Sequence, residues 1–428
     1  MTQTESIHPS PADSHDQPAP EPDARAGWAR LVPLVGTMVF GIALSLAKGT
    51  FPVVAFIIGI ILMVMIHEGG HFVAAKLSGM KVTQFFFGFG PRLWSVRRGE
   101  TEYGVKAIPA GGYVKIVGMS NMERDIDPAD EPRTYRQQSY PRRMLVAVAG
   151  VFTHFVVGFV LLLVLWTVVG VPSYDRPSLS VGSISKLESG ASPATDAGFQ
   201  IGDRILSVEG RPVKGWDDVP PLIRARAGMP TRFELERDGR RLGVTAVPAE
   251  VERERAKVGF IGIGPAPTVE RVGPIAGAGR AVTDLARLST GAVKAIGTFF
   301  TPGALTNYAG QVTQGARGEP SNERFMSVVG VVRIAGQAAD SGSFFLVYLL
   351  VVLNVFVAVF NLVPLLPLDG GHMAIATYER IRSRRDRPYH ADISKLVPVA
   401  AAVVAIMLVI GVTSLYLDIV KPVANPFQ

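Results

Sequence analysis

The segment "MVMIHEGGHFVAAKL" (Met63 to Leu77) sets two histidines and a glutamate in a stretch otherwise apolar enough to cross a bilayer. On a helix, His67 and His71 stand four positions apart, so both imidazoles project from one face. Glu68 is turned by about 100° from His67 and reaches a water beside a metal rather than the metal itself. H-E-x-x-H is the arrangement of two zinc ligands with a general base. Five residues can match by chance, and a polar cluster on a core helix is the plainer account. Inside a bilayer that account weakens, because an unpaired ionisable group there costs several kcal/mol.

Zinc takes a third protein ligand and keeps one position open for water. The chain has no cysteine, which excludes thiolate ligands and any disulfide framework. Of seven histidines, His8 and His15 lie near the N-terminus and His390 in a basic loop. That leaves His154, His372 and the carboxylates at membrane depth. "NLVPLLPLDGGH" (Asn361 to His372) closes an apolar stretch and offers Asp369. His372, one helical turn further, is the alternative third ligand.

These residues need spans to carry them. The chain is 48% apolar and has five stretches that reach or approach crossing length. They are Leu31 to Ala47, Gly49 to Ala75, Met144 to Val171, Phe344 to Leu368 and Leu396 to Leu417. The chain therefore reads as a polytopic membrane protein. The net charge of +7 does not point to nucleic acid, because the basic residues collect beside the spans. Arg25 and Arg30, the segment Lys76 to Arg143, and "ERIRSRRDRPYH" (Glu379 to His390) all belong inside under the positive-inside rule. Pro172 to Ser343 then lies outside. The second and fourth spans both run inward, so His67, His71 and Asp369 can meet in one leaflet. A relay of carboxylates, as a metal transporter would need, is missing, since Glu68 is the only one well inside any span.

The organisation that follows begins with residues 1–27 as a disordered tail. Residues 28–48 form an extra span or signal anchor, for which "SLAK" (Ser45 to Lys48) offers a loose signal-peptidase site. Spans at 49–77 and 144–171 flank a cytoplasmic or membrane-reentrant β region at 78–143. A β-rich external domain at 178–265 leads to an amphipathic helical brace at 270–341, with a polar loop at Gly310 to Glu323. A span at 344–372, a basic loop at 373–395 and a final span at 396–420 complete the chain.

Longer matches carry a family resemblance. They are "HEGGH", "GMKVTQFFFGFGPRLWSVRRGETEYGVKAIPAGGYVKIVGM" (Gly79 to Met119), "MSVVGVVRIAG" (Met326 to Gly336) and "FNLVPLLPLDGGH". In that order the chain resembles the site-2 protease family of intramembrane zinc metalloproteases over most of residues 50–420. It is closest in pattern to the PDZ-containing bacterial branch that includes the regulator of sigma-E protease and its actinobacterial relatives. "VGSISKLESGASPATDAGFQIGDRILSVEGRPVKGWDDV" (Val181 to Val219) is similar to the PDZ pattern, and "VGSI" to its peptide-binding strand.

The resemblance implies a polytopic α-helical membrane protein with an inserted extracytoplasmic PDZ domain and a membrane-reentrant β-hairpin region. It implies Zn2+ held by His67, His71 and Asp369, with Glu68 activating water. Asn361 and Pro364 of the N-x-x-P motif would contact the substrate backbone; the plainer readings, an interhelical hydrogen bond for Asn361 and a helix break for Pro364 and Pro367, can hold alongside. Gly88 and Gly90 of the reentrant segment Lys81 to Val96 would help a substrate strand pair with it; plain turn chemistry is the alternative. The implied substrates are transmembrane segments of single-span proteins in the bacterial cytoplasmic membrane, such as anti-sigma factors and remnant signal peptides. A peptide ligand for the PDZ domain is a further partner. The rival is a non-catalytic scaffold that captures peptide termini. One departure stands out: where the family often has G-P-x-x-N, this chain has "GVFTH" (Gly150 to His154). His154 could bond a neighbouring helix, stand near the zinc or line a water path.

Overall fold

The computed structural model describes residues 24–119, 126–175, 177–187, 190, 192–253, 256–314, 325–383 and 389–423. The expected tail falls mostly on residues 1–23, outside the described residues. Residues 24–27 already belong to the first helix, α1 (Ala24–Ala47). The chain divides into two units, residues 1–160 with 284–428, and residues 161–283.

In the first unit, α2 (Phe51–Leu77) starts with Pro52 in its first turn and carries no acidic residue there. Past its end, Gly79 takes a positive φ, and Met80 N–H returns to the Ala75 carbonyl at 3.0 Å. This sharp stop feeds β1 (Val82–Arg98), which pairs with β2 (Thr101–Ile116). The pairing is not a simple hairpin within Lys81 to Val96. Phe85–Phe87 pair with Gly112–Val114 on one side and with Tyr103–Val105 on the other, while Trp94–Arg98 pair with the outer face of Thr101–Val105. β1 bends where Gly88 holds φ +87, a conformation open to glycine, so residues 101–106 slot between its two halves. Two long strands thus make four antiparallel segments, with residues 112–116 on one outer edge. Ala74, Ala75, Met80, Val82, Ile116 and Val146 bury together and fix this sheet to the end of α2 and to α3 (Tyr140–Val164).

α3 runs on through a π-helical turn at Leu165–Val169 into the second unit. There β3 (Val171–Ser173) will meet β12, and β4 (Val181–Ile184) will meet β11. Short helix α4 (Pro193–Asp196) precedes β5 (Arg204–Val208) and β6 (Arg211–Pro212), and α5 (Val219–Arg224) precedes β7 (Thr231–Arg237) and β8 (Arg240–Ala246). These strands form an antiparallel sheet in the order β6-β5-β7-β8. β7 alternates buried Thr231, Phe233 and Leu235 with exposed neighbours, and Asp238 and Gly239 both take positive φ in the tight turn to β8. Hairpin strands β9 (Ala249–Arg253) and β10 (Ala256–Phe260) are followed by β11 (Ile263–Pro265) and β12 (Thr268–Glu270). Phe199, Ile205, Val208, Phe233 and Leu235 centre a core belonging to this unit alone.

α6 (Pro274–Phe299) leads back to the first unit, followed by α7 (Pro302–Gln314), α8 (Val328–Ser341), α9 (Ser343–Asn361), α10 (Asp369–Arg382) and α11 (Val397–Val420). The loop expected from Gly310 starts later, because α7 continues to Gln314. The Tyr308 hydroxyl holds this helix to α11 through Thr413 and Ser414 at 2.8 and 2.9 Å, and residues 315–324 lie outside the described ones. Among the described residues, four helical stretches are long and apolar enough to cross a membrane: Phe51–Leu77, Tyr140–Val169, Ser343–Asn361 and Ser394–Val420. In α1 the apolar part, Val35–Ala47, is shorter. This is a multi-pass membrane protein.

Candidate metal centre

The apolar side chains of α2 leave one face for polar groups, and there His67 and His71 are both buried. The Nδ1 of His71 lies 2.8 Å from the Val146 carbonyl of α3. A carbonyl only accepts, so Nδ1 carries the proton and Nε2 of the neutral ring presents a lone pair inward. The Nε2 atoms of the two histidines are 3.2 Å apart.

Asp369 completes the group. α9 stops at Asn361, the segment Leu362–Leu368 with Pro364 and Pro367 breaks the helix, and α10 restarts on Asp369. The returning helix packs directly on the break. A Cβ on Gly370 would lie 2.3 Å from the Val363 carbonyl oxygen, and one on Gly371 would lie 2.7 Å from the Leu366 nitrogen. The D-G-G run is therefore what lets the carboxylate reach α2. Asp369 Oδ1 stands 3.2 Å from His71 Nε2, and Oδ2 stands 3.4 Å from His67 Nε2.

The ligand atoms of these three residues all lie within 4.8 Å of one another. His67 Nδ1 and Asp369 Oδ2 are buried without a hydrogen-bond partner. Imidazole lone pairs and carboxylate oxygens brought this close repel unless a proton or a metal cation lies among them. Two imidazoles and a carboxylate are a zinc donor set that leaves a fourth position open. Backbone closeness seals one side: a Cβ on Gly150 of α3 would lie 2.3 Å from His71 Nε2 and 2.7 Å from His67 Cε1.

Glu68 points differently, as its helical offset requires. It meets the outer segment of β2, where a Cβ on Gly112 would lie 3.0 Å from Glu68 Cγ, and the Val114 backbone N–H is directed at its carboxylate. The segment 112–116 thus runs beside the group best placed for proton transfer.

Other residues singled out in the sequence separate from this cluster. His372, half-buried on the first turns of α10, is not one of the converging donors. His154 is buried, with its ring 4.8 Å from that of His67, yet it too is outside the donor set. Its Nδ1 is 2.8 Å from Asn354 Oδ1. Asn361 is half-buried at the end of α9, and Pro364 is exposed in the break. Gly88 and Gly90 sit at the bend of β1, where a Cβ on Gly88 would meet the Ile108 carbonyl at 2.8 Å. Gly112 and Asn354 were not singled out beforehand. Asn354 had a signal, as the one amide between Phe344 and Phe360. Gly112 had none apart from its place in an alternating run.

Comparison with known proteins adds a separate line of support. The sequence pattern of Peptidase family M50 matches residues 55–407. The zinc metalloprotease Rip1 of Mycobacterium tuberculosis is 36% identical over 409 residues, spanning 87% of this chain and 98% of that protein. The protein of the same name from Mycobacterium bovis is 35% identical over 407 residues, spanning 87% and 98%. That from Mycolicibacterium smegmatis is 34% identical over 420 residues, spanning 90% and 99%.

Proposed function

The chain belongs to peptidase family M50 and is a zinc metalloprotease of the site-2 type; from that premise we propose that it cuts the transmembrane segments of single-span proteins, with zinc held by His67, His71 and Asp369. The observation that carries this is the convergence of the three donors from two separate helices, with Glu68 one position along from the first of them. A pure peptide-capturing scaffold has no use for that set.

When bound, zinc supplies Lewis-acid polarisation of a peptide carbonyl and brings the pKa of a water to about 7. Glu68 takes the proton of the attacking water on its carboxylate and later delivers it to the departing amide nitrogen. A helical substrate keeps its amides satisfied internally and its carbonyls shielded, so the scissile stretch must be extended. The outer segment 112–116 is the last strand segment of the sheet and runs beside Glu68, suited to align such a stretch by strand addition. Asn361 and Pro364, at the broken end of α9, bind the substrate backbone, and the bend at Gly88 and Gly90 shapes the sheet.

Anti-sigma factors and remnant signal peptides of the bacterial cytoplasmic membrane are the substrates this reading favours. The basic segments face the cytoplasm, and the 178–265 domain is a PDZ module outside it, with β4 offered to a peptide. Glu68→Gln in the full chain, expressed in native membranes, tests the reading. Cleavage of single-span proteins is expected to drop by about 10²–10⁴-fold, with zinc retained and uncut substrate captured on the variant for mass spectrometry. Cleavage by Glu68→Gln at the unaltered rate would overturn it.

A further inference from the structure

We propose that His154 and Asn354 form a positioning pair that orients the His67 ring and fixes α9 against α3; this rests on the reading of His67 as a metal ligand. Asn354 is fully buried in α9 and uses both ends of its amide on one residue. Its Nδ2 donates to the His154 backbone carbonyl at 2.7 Å, and its Oδ1 stands 2.8 Å from His154 Nδ1. The backbone carbonyl accepts only, which assigns Nδ2 to that side and leaves Oδ1 as acceptor for Nδ1–H. The amide therefore fixes the tautomer and the plane of the His154 ring together.

The fixed ring has a definite neighbour. It packs on His67 with centroids 4.8 Å apart and planes at 37°. Metal-binding histidines are ordinarily oriented by a hydrogen bond from the second ring nitrogen. His71 has such a bond, to Val146. His67 is held less firmly: its Nδ1 makes no hydrogen bond of ordinary geometry, and the Gly150 carbonyl that faces it is shared with the Thr153 hydroxyl at 2.7 Å. Packing against His154 adds the restraint on ring orientation that the shared carbonyl leaves weak.

The same face of α3 organises the whole contact. Gly150, His154 and Gly158 follow at four-residue spacing. Gly150 admits the two metal-site imidazoles. Gly158 admits the amide, since a Cβ there would stand 3.1 Å from Asn354 Nδ2. Asn354 precedes Asn361 by seven residues, about two turns, so the clasp also holds the end of α9 from which the chain returns to Asp369. One buried pair thus bears on two of the three donors, though its members are not catalytic residues.

The test uses the full-length protein in detergent micelles, loaded with Co2+ as the probe, with variants His154→Phe, Asn354→Leu and the double variant. Each single variant is expected to bind one Co2+ per chain with shifted visible absorption bands. Each should cleave a transmembrane reporter peptide with kcat lower by about 10–100-fold and KM little changed. Replacing both partners removes the orphaned polar group, so the double variant should regain the thermal midpoint lost in the singles. Its absorption spectrum and kcat should stay altered. Recovery of kcat and spectrum along with stability would overturn the proposal, as would single variants with an unaltered spectrum and kcat. Should Glu68→Gln cleave normally, the protease reading fails by itself, and the Co2+ spectra still decide the clasp.

Discussion

At His71 one ring nitrogen is engaged by the Val146 carbonyl and the other faces Asp369 at 3.2 Å, whereas His372 contributes no donor to that group. The third ligand is the point at which the two candidates diverge. Asp369→Ala removes the only carboxylate of the cluster and leaves two imidazoles, so purified protein should lose stoichiometric zinc in metal analysis. His372→Ala should keep it; the reverse pattern would reassign the ligand. The histidines and Glu68 were legible because charge inside an apolar helix is costly and a helix puts positions 67 and 71 on one face. Asp369 was legible from the expected topology, in which the second and fourth spans run the same way and so bring like ends together. Asn354 was not, because a lone amide in a span is explained by any interhelical hydrogen bond, and only coordinates reveal that its partner is His154.

Among the elements, the edge segment 112–116 makes the sharpest claim. Gly112 faces Glu68 Cγ and Met65 Sδ at 3.0 and 3.1 Å from where its Cβ would be, with the Phe86 carbonyl at 3.3 Å. A branched side chain there cannot be absorbed by one flexible neighbour, so the segment must move off α2. Gly112→Val is expected to lower reporter cleavage more than tenfold while zinc content holds, because no metal ligand is displaced. Gly150→Ala behaves differently: its Cβ would meet His71 Nε2 at 2.3 Å, so zinc itself should be lost. Parallel metal analysis and cleavage assays separate the two. Alternation in residues 102–119 made the strand character readable from sequence. The interleaving was not, because nothing local indicates that residues 101–106 slot between the two halves of β1.

For the molecule as a whole, the division into units predicts which damage stays local. Residues 161–283 have their own core around Phe199 and Phe233 and their own buried ion pair. Asp203, fully buried, accepts from Arg237 at 2.7 and 2.8 Å and from the Gln200 N–H at 2.8 Å. Burial alone pushes its carboxyl pKa up, but the Arg237 guanidinium and the Gln200 N–H outweigh it and hold the group below the ordinary aspartate value. A depressed carboxylate pKa stabilises the fold above the unfolded-state value of about 3.9, and that contribution fades as pH falls through the lower folded value. Asp203→Asn removes it at neutral pH, at a cost of about 1–3 kcal/mol for charged hydrogen bonds. Pulse proteolysis should then cut within 161–283 at lower urea than in the unmodified chain. The difference between the two should begin to shrink as pH falls below about 4, where the unfolded-state aspartate gains its proton, and should be lost as pH falls through the lower folded value, where the native one does too. Zinc content should be the same in both, because His67, His71 and Asp369 all belong to the other unit. Loss of zinc in Asp203→Asn would mean that the two cores do not unfold separately.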